Sequence, residues 1–216
     1  MKHKTLLPIV FLSIFAVLST SPVFAGKGKP VPPAPITVPN SICIDPGHGG
    51  SDTGAINGDL LEKDVNLDVA ELLRDKLLAV EGNVYTVFMT RDTDKYLTNA
   101  DRYNYCNSKG AEILISIHHN GSSDPAIDYS KALYMKSSDI ALAREVVNAV
   151  SNALGTTNNG ISRFASGVLL KSAMPATISE GFFLTSSNEY DLLMKNDDRL
   201  NDEANALFTA VTNYLK

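Results

Sequence analysis

The chain has 216 residues, 44% of them hydrophobic and 20% charged, which suits one folded domain with a sizeable core and excludes a wholly disordered chain. Nineteen Lys and Arg residues stand against 24 Asp and Glu residues, so the formal net charge is −5. This balance argues against nucleic acid as the main partner, because binding to phosphates needs concentrated positive charge.

The N-terminal segment, residues 1–25, has the three-part layout of a secretory signal peptide. Lys2 and Lys4 make a basic start, an apolar run extends over residues 6–18, and Ala25 offers a small residue for cleavage. An uncleaved membrane anchor is the alternative, but a membrane span needs about 20 apolar residues. We therefore expect cleavage near Ala25, export to a periplasm or to the medium, and no membrane association afterwards.

Residues 26–40 form a proline-rich linker. Five prolines in this stretch predict an extended segment with little capacity to pack. The folded domain is therefore expected to span residues 41–216. No internal repeat and no second low-complexity segment interrupts that range.

Apolar periodicity and turn residues predict strands and helices that alternate through the folded domain. The predicted strands cover residues 41–44, 84–89, 112–117, 131–135, 167–171 and 176–180. The predicted helices cover residues 63–80, 98–108, 138–154 and 200–215. This alternation indicates a single α/β domain with a mostly parallel central sheet and helices on both faces. Ligands of such sheets gather at the carboxyl ends of the strands.

Two cysteines, Cys43 and Cys106, remain after removal of the leader. An oxidising compartment permits a disulfide between them. Two buried thiols are an equally good interpretation, because Cys43 lies in an apolar strand and Cys106 on one face of a predicted helix. The residues alone leave both alternatives open.

Three histidines lie just past the ends of predicted strands. His48 follows strand 41–44 across a Gly-rich turn, whereas His118 and His119 follow strand 112–117. If these strands are neighbours in a parallel sheet, the imidazoles converge at one edge. Adjacent residues of a strand point to opposite faces, so only one of the pair can share a site with His48. A solvated turn histidine and a capped strand end are the simpler alternatives.

Two glutamates make a metal site more plausible than a chance arrangement of histidines. Glu62 begins the helix after the His48 loop, and two His with one Glu form a zinc set that leaves a position for water. An ordinary first-turn glutamate is the alternative, since a helix N-terminus favours negative charge. Glu180 ends strand 176–180 among apolar residues, so it must be paired, bound to metal or shifted in its pKa.

These residues lie in motifs that resemble the zinc-dependent N-acetylmuramoyl-L-alanine amidases of the amidase_3 type, which are peptidoglycan hydrolases. The motifs occur in the family's order and span essentially all of residues 41–216. They are DPGHGGSDTGA with His48, LLEKDVNL with Glu62, SIHHN with His118, and MPATISEGFF with Glu180. Phe182 and Ser186 depart from the family pattern, which usually has Gly and Asn at these places.

The resemblance implies a Zn²⁺ ion held by His48, Glu62 and His118, with His119 at the variable position of its motif. Glu180 would act as the catalytic base. The implied reaction cleaves the amide bond between N-acetylmuramic acid and the L-Ala of the stem peptide. Peptidoglycan is thus the expected partner, and we expect a monomer. Asp45 and Asn120 are weaker candidates for orienting the ligands.

Two other functions remain open at this stage. The first is another exported zinc amide hydrolase or peptidase, because the zinc set itself does not choose between amides. The second is a catalytically inactive module that binds the cell wall. Such a module is expected to have lost a metal ligand or Glu180, and this sequence has lost neither.

Overall fold

The computed structural model describes residues 37–195 and 198–216. The predicted signal peptide, residues 1–25, and residues 26–36 of the predicted linker lie outside these described residues. The domain limits therefore stay a prediction. Within the part of the chain that is described, the helices are too short or too polar to cross a membrane.

The described residues form eight strands and six α-helices that mostly alternate along the chain. The strands are β1 Ser41–Pro46, β2 Ile56–Asn57, β3 Leu60–Leu61, β4 Thr86–Met89, β5 Ile113–Asn120, β6 Ser130–Tyr134, β7 Asn158–Arg163 and β8 Ala176–Phe183. The helices are α1 Glu62–Leu78, α2 Asn99–Lys109, α3 Ile140–Leu154, α4 Gly167–Lys171, α5 Ser187–Met194 and α6 Arg199–Tyr214.

Six of the strands form one sheet in the order β4-β1-β5-β8-β6-β7. In this sheet the pairs β4-β1, β1-β5, β5-β8 and β6-β7 are parallel, whereas β6 and β8 pair in the antiparallel sense. The short strands β2 and β3 form a separate hairpin that leads into α1. The predicted fold class, a single α/β domain with a mostly parallel sheet, is confirmed.

Alternate residues of the central strands face two hydrophobic clusters, one on each side of the sheet. In β5, Ile113 and Ile115 pack in the cluster that contains residues of α1, α3 and α6. Leu114 packs in the other cluster, which contains residues of α2 and α4. Because side chains alternate along a strand, His118 continues the Leu114 side and His119 continues the Ile113 side.

A disulfide bond joins Cys43 of β1 to Cys106 of α2. Both cysteines are fully buried in the cluster on the α2 side of the sheet. Of the two alternatives that the sequence left open, the structure contains the disulfide.

One predicted element is wrong, and four elements, β2, β3, β7 and α5, were not predicted. The apolar run at residues 167–171 forms the helix α4, whose N-terminus is capped by the Ser166 side chain accepting from the Val168 N–H. Periodicity cannot separate a strand from a helix in so short a run. The hairpin β2-β3, the polar strand β7 and the helix α5 carry no comparable apolar pattern.

Candidate metal centre

The loop after β1 turns His48 toward the end of β5. His48 has a φ of 58°, in the left-handed region that few non-glycine residues adopt. Gly47 lies against the ring of His118, and a Cβ at Gly47 would come within 2.2 Å of that ring. The glycine therefore allows the two histidines, which are 70 residues apart in the sequence, to approach each other.

Three potential metal ligands converge between the end of β1, the start of α1 and the end of β5. Oε1 of Glu62 lies 3.1 Å from Nε2 of His48 and 3.0 Å from Nδ1 of His118. One ligand atom of each residue lies within 4.8 Å of the others. Two imidazole nitrogens and a carboxylate oxygen at this spacing are the donor set of a catalytic zinc site, so the residues fit the ion that the sequence predicts.

The pKa values of Glu62 and His48 are shifted in opposite directions. Burial alone would raise the pKa of Glu62, but His118 and His48 together hold it well below the ordinary range. Burial alone would lower the pKa of His48, but Glu62 and Asp52 raise it above the ordinary value. Because a metal needs the neutral imidazole, an ion at this site would compete with protons for the histidines.

Backbone amides fix the carboxylate of Glu62 from two directions. The N–H of Ala55 donates to Oε2 at 2.8 Å, and the N–H of His119 donates to Oε1 at 3.1 Å. The side-chain amide of Asn66, one turn further along α1, lies 3.4 Å from Oε1. Glu62 is therefore held in place by the chain itself, with its Oε1 directed at the two histidines.

Glu180 lies directly beside His118, because the two are register partners in the parallel pair β5-β8. Its side chain lines the same cleft as His48 and His118. Burial raises the pKa of Glu180, the negative charge of Glu62 raises it further, and His118 opposes the shift. A carboxylate with a raised pKa beside a metal site is suited to accept a proton and later to release it.

The two weaker candidates, Asp45 and Asn120, both line the cleft with His48 and His118. Asp45 accepts hydrogen bonds from Thr90 and Ser116 and pairs with Arg102 at 2.8 Å. Its influence on the His48 loop is therefore indirect, through Arg102. Asn120 lines the cleft and accepts a backbone hydrogen bond from Leu184, so the structure gives it a place near the site without a ligand contact.

A cleft of about 740 Å³ opens beside the three potential ligands. Tyr96 stands in one wall and Phe164 in another, and their exposed fractions are 53% and 51%. Aromatic side chains of this kind offer apolar faces to a ligand. The volume of this cleft lies within the usual range of ligand-binding clefts.

Sequence reasoning did not find Glu203, a buried carboxylate that contacts His119 behind the site. His119 points away from the cleft and contacts Asn66 and Glu203, and its ring is fully buried. Glu203 lies in α6 and belongs to none of the motifs, so no signal in the sequence indicated it. The alternation of side chains along β5 predicted that only one of the two histidines would share a site with His48, and the family resemblance implied that this one is His118.

Comparison with known proteins assigns the chain to a family. Residues 42–213 match the family model of N-acetylmuramoyl-L-alanine amidase, Amidase_3. The chain therefore belongs to the amidase_3 family, as its motifs predicted.

The relatives include the N-acetylmuramoyl-L-alanine amidase LytC of Bacillus subtilis, 32% identical over 182 residues. That match covers 82% of this chain but only 36% of LytC. The chain is also 29% identical to the uncharacterized protein YqiI of the same organism, over 81% of this chain and 84% of YqiI. The chain thus spans about a third of LytC and most of YqiI.

Two solved structures share the fold. The catalytic domain of CwlV, an N-acetylmuramoyl-L-alanine amidase from Bacillus (Paenibacillus) polymyxa var. colistinus, superposes with a TM-score of 0.77 at 28% identity, covering 82% of this chain and 98% of that one. An N-acetylmuramoyl-L-alanine amidase from Clostridium difficile 630 gives 0.76 at 30% identity, covering 82% and 97%. The described domain therefore corresponds to an amidase catalytic domain.

Proposed function

We propose that this protein is an exported peptidoglycan hydrolase. It cleaves the amide bond between N-acetylmuramic acid and the L-Ala of the stem peptide, with Zn²⁺ as its cofactor. The observation that carries the proposal is the convergence of His48, Glu62 and His118 beside Glu180, in one cleft of a chain that belongs to the amidase_3 family.

His48, Glu62 and His118 would hold the ion. When bound, Zn²⁺ would polarise an amide carbonyl and lower the pKa of water to about 7. The buried carboxylate of Glu62 contributes negative charge to the site, and the two imidazoles bind in their neutral forms.

Glu180 moves the proton. Its carboxylate accepts a proton from the attacking water as the oxygen–carbon bond forms. It donates that proton to the nitrogen as the carbon–nitrogen bond breaks. The products are a lactyl carboxylate on the muramic acid and a free amino group on L-Ala. The raised pKa of Glu180 suits both halves of this transfer, because the group must release the proton that it has taken up.

Several features support action outside the cell. Residues 1–25 have the layout of a signal peptide, and the disulfide between Cys43 and Cys106 suits an oxidising compartment. Peptidoglycan lies beyond the membrane, so export would bring the enzyme to its substrate. We propose that the mature protein acts there as a monomer, either in a periplasm or in the medium.

Digestion of purified peptidoglycan tests the proposal. The wild-type protein with zinc should release new N-terminal L-Ala, and a chelator should stop the release. Glu180→Gln should bind zinc as the wild type does but should lose turnover, because Gln cannot accept the proton. Because Gln has nearly the volume of Glu, this variant should still fold and bind zinc, so its loss of turnover reports the loss of the base.

Other outcomes would identify the alternatives. A different new terminus would contradict the proposed bond and point to another zinc amide hydrolase or peptidase. Saturable binding to peptidoglycan without cleavage, by protein that holds one zinc, would point to an inactive wall-binding module. Undiminished turnover in Glu180→Gln would exclude Glu180 as the base.

A further inference from the structure

A buried network of hydrogen-bonded polar side chains lies behind the proposed zinc site, on the opposite side of β5 from the cleft. Nδ1 of His119 is 2.7 Å from Oδ1 of Asn66, and Nε2 of His119 is 2.8 Å from Oε2 of Glu203. The side chains of His119 and Glu203 are both completely buried. Asn66 extends this network to the proposed ligand Glu62.

The partners of Asn66 fix the direction of these hydrogen bonds. Its Nδ2 faces the carbonyl oxygen of Gly47 at 3.2 Å and Oε1 of Glu62 at 3.4 Å, and both of these atoms can only accept. Its Oδ1 must therefore face His119, whose Nδ1 must carry the hydrogen and donate it. The other ring nitrogen of His119 then meets the carboxylate of Glu203.

A buried pair of this kind is seldom needed for packing alone. A buried charged or hydrogen-bonded pair can commonly be replaced by apolar side chains of similar volume without loss of stability. The fold nevertheless makes room for the carboxylate of Glu203: a Cβ at Gly181, the neighbour of Glu180, would lie 2.3 Å from its Oε1. Among the described residues, that oxygen is buried and has no hydrogen-bond partner.

One end of this network reaches the proposed metal site through two residues, Asn66 and His119. Asn66 joins the His48 loop, at Gly47, to the carboxylate of Glu62. The backbone N–H of His119 donates to the same carboxylate, so the position of residue 119 sets one of the hydrogen bonds on Glu62. A shift of the His119 ring would therefore disturb Glu62 in two ways.

We propose that His119 and Glu203 are positioning residues for the zinc site. Glu203 holds the ring of His119, the ring holds Asn66, and Asn66 together with the backbone of residue 119 holds the carboxylate of Glu62. The inference rests on the proposed function, because it assigns the two residues to the metal site on which that function depends. Neither residue touches the substrate or the ion.

Metal binding by the full chain tests this role directly. The protein is freed of metal, and its affinity for Zn²⁺ is measured by competition with a chromophoric chelator; the visible spectrum of the Co²⁺ form reports the coordination. Glu203→Leu and His119→Phe should each weaken zinc binding by about 10- to 100-fold, the usual effect of losing a group that orients a metal ligand. Both should also alter the Co²⁺ spectrum.

The double variant and a conservative variant separate positioning from packing. Because Glu203 acts through His119, the double variant Glu203→Leu/His119→Phe should lose little more affinity than His119→Phe alone. Glu203→Gln is the matched control: its amide can still bond Nε2 of His119, so it should retain most of the affinity. Thermal unfolding of the metal-free proteins shows which variants fold, and Glu203→Gln and His119→Phe decide the matter if Glu203→Leu does not.

The outcomes of this experiment are distinct. A wild-type protein that binds zinc, with folded variants of unchanged affinity and unchanged Co²⁺ spectrum, would overturn the positioning role and leave the proposed function intact. Equal weakening by Glu203→Gln and Glu203→Leu would also contradict it, because the hydrogen bond would then be irrelevant. A wild-type protein that binds no zinc would overturn the proposed function and this inference together.

Discussion

Arg102 connects the buried Asp45 to the loop that carries His48. Its guanidinium lies 2.8 Å from Oδ1 of Asp45 and donates to the carbonyl oxygens of Pro46 and His48, each at 2.7 Å. Burial alone would raise the pKa of Asp45, but Arg102, with hydrogen bonds from two hydroxyl groups, holds it below its ordinary value. One side chain thus compensates a buried charge and shapes the turn before the proposed ligand.

Replacement of this arginine should be costly. In Arg102→Met the carboxylate of Asp45 stays buried without its cation, so we expect the free energy of unfolding at pH 7 to fall by about 3–5 kcal/mol. Urea denaturation at fixed temperature measures the change. Arg74→Met is the matched control, since Arg74 pairs with Asp75 at the surface, where a salt bridge contributes about 1 kcal/mol or less.

The pH dependence of the same variant has a defined sign. The pKa of Asp45 is depressed in the folded wild type, so its ionised form stabilises the folded protein above the unfolded pKa of about 3.9. This contribution is lost as pH falls through the folded pKa. In Arg102→Met, burial without the cation should raise the folded pKa of Asp45, so the difference in stability between the wild type and the variant should shrink as pH falls from 7 toward 3. A difference that stays constant from pH 7 to pH 3 would contradict the assignment of Asp45.

Among the secondary-structure elements, α2 has the clearest restraints. The Thr98 side chain accepts from the N–H of Asp101, the Asp101 side chain accepts from the N–H of Thr98, and Gly110 ends the helix in the left-handed conformation. Cys106 then attaches the helix covalently to β1, one turn after Arg102. The disulfide therefore holds the helix that supplies Arg102 to the His48 loop.

Loss of this disulfide should lower stability substantially. The two cysteines are 63 residues apart, and closing a loop of that length stabilises a fold by about 4 kcal/mol in the chain-entropy model. We expect a reductant to lower the melting temperature of the wild type, with two free thiols appearing per chain. The Cys43→Ala/Cys106→Ala variant is the control and should melt at a temperature that the reductant does not change. A fully reduced wild type that melts like the oxidised one would contradict this expectation.

The sequence predicted those elements whose pattern is long and regular. The amphipathic helices α1, α3 and α6 and the apolar strand β5 follow from periodicity, and the predicted helix 98–108 closely matches α2. The apolar run that forms α4 was assigned to a strand, because five residues are too few to distinguish the two periods. Strand β7 is mostly polar and pairs only at the edge of the sheet, so its sequence carries little signal.

Across the whole molecule, the candidate site was predictable to the extent that it lies at strand ends. His48 follows β1, and His118 and Glu180 lie in the carboxyl-terminal halves of β5 and β8, the next two strands of the sheet, so the strand order brings them together. Glu203 was not predictable, because it lies in the last helix and contacts His119 only through tertiary packing. Such a contact depends on how α6 lies against α1 and β5, which no local pattern specifies.

The overall charge of the molecule opposes approach to an anionic substrate. The chain carries a formal net charge of −5, and like charges slow association by an amount that depends on ionic strength. The Debye length falls from about 30 Å at 0.01 M salt to about 8 Å at 0.15 M. If the substrate is peptidoglycan that carries anionic polymers, added salt should therefore relieve the repulsion.

We expect cleavage of whole cell walls to accelerate by a few-fold between about 0.01 M and 0.15 M NaCl, because screening removes most of the long-range repulsion over this range. The measurement is the initial rate of appearance of new N-terminal L-Ala. Peptidoglycan stripped of its anionic polymers is the control, and its rate should change little, which also excludes an effect of salt on zinc binding or on folding. A rate on whole walls that falls with salt would indicate attraction instead. That result would mean that a local basic surface, rather than the net charge, governs the encounter.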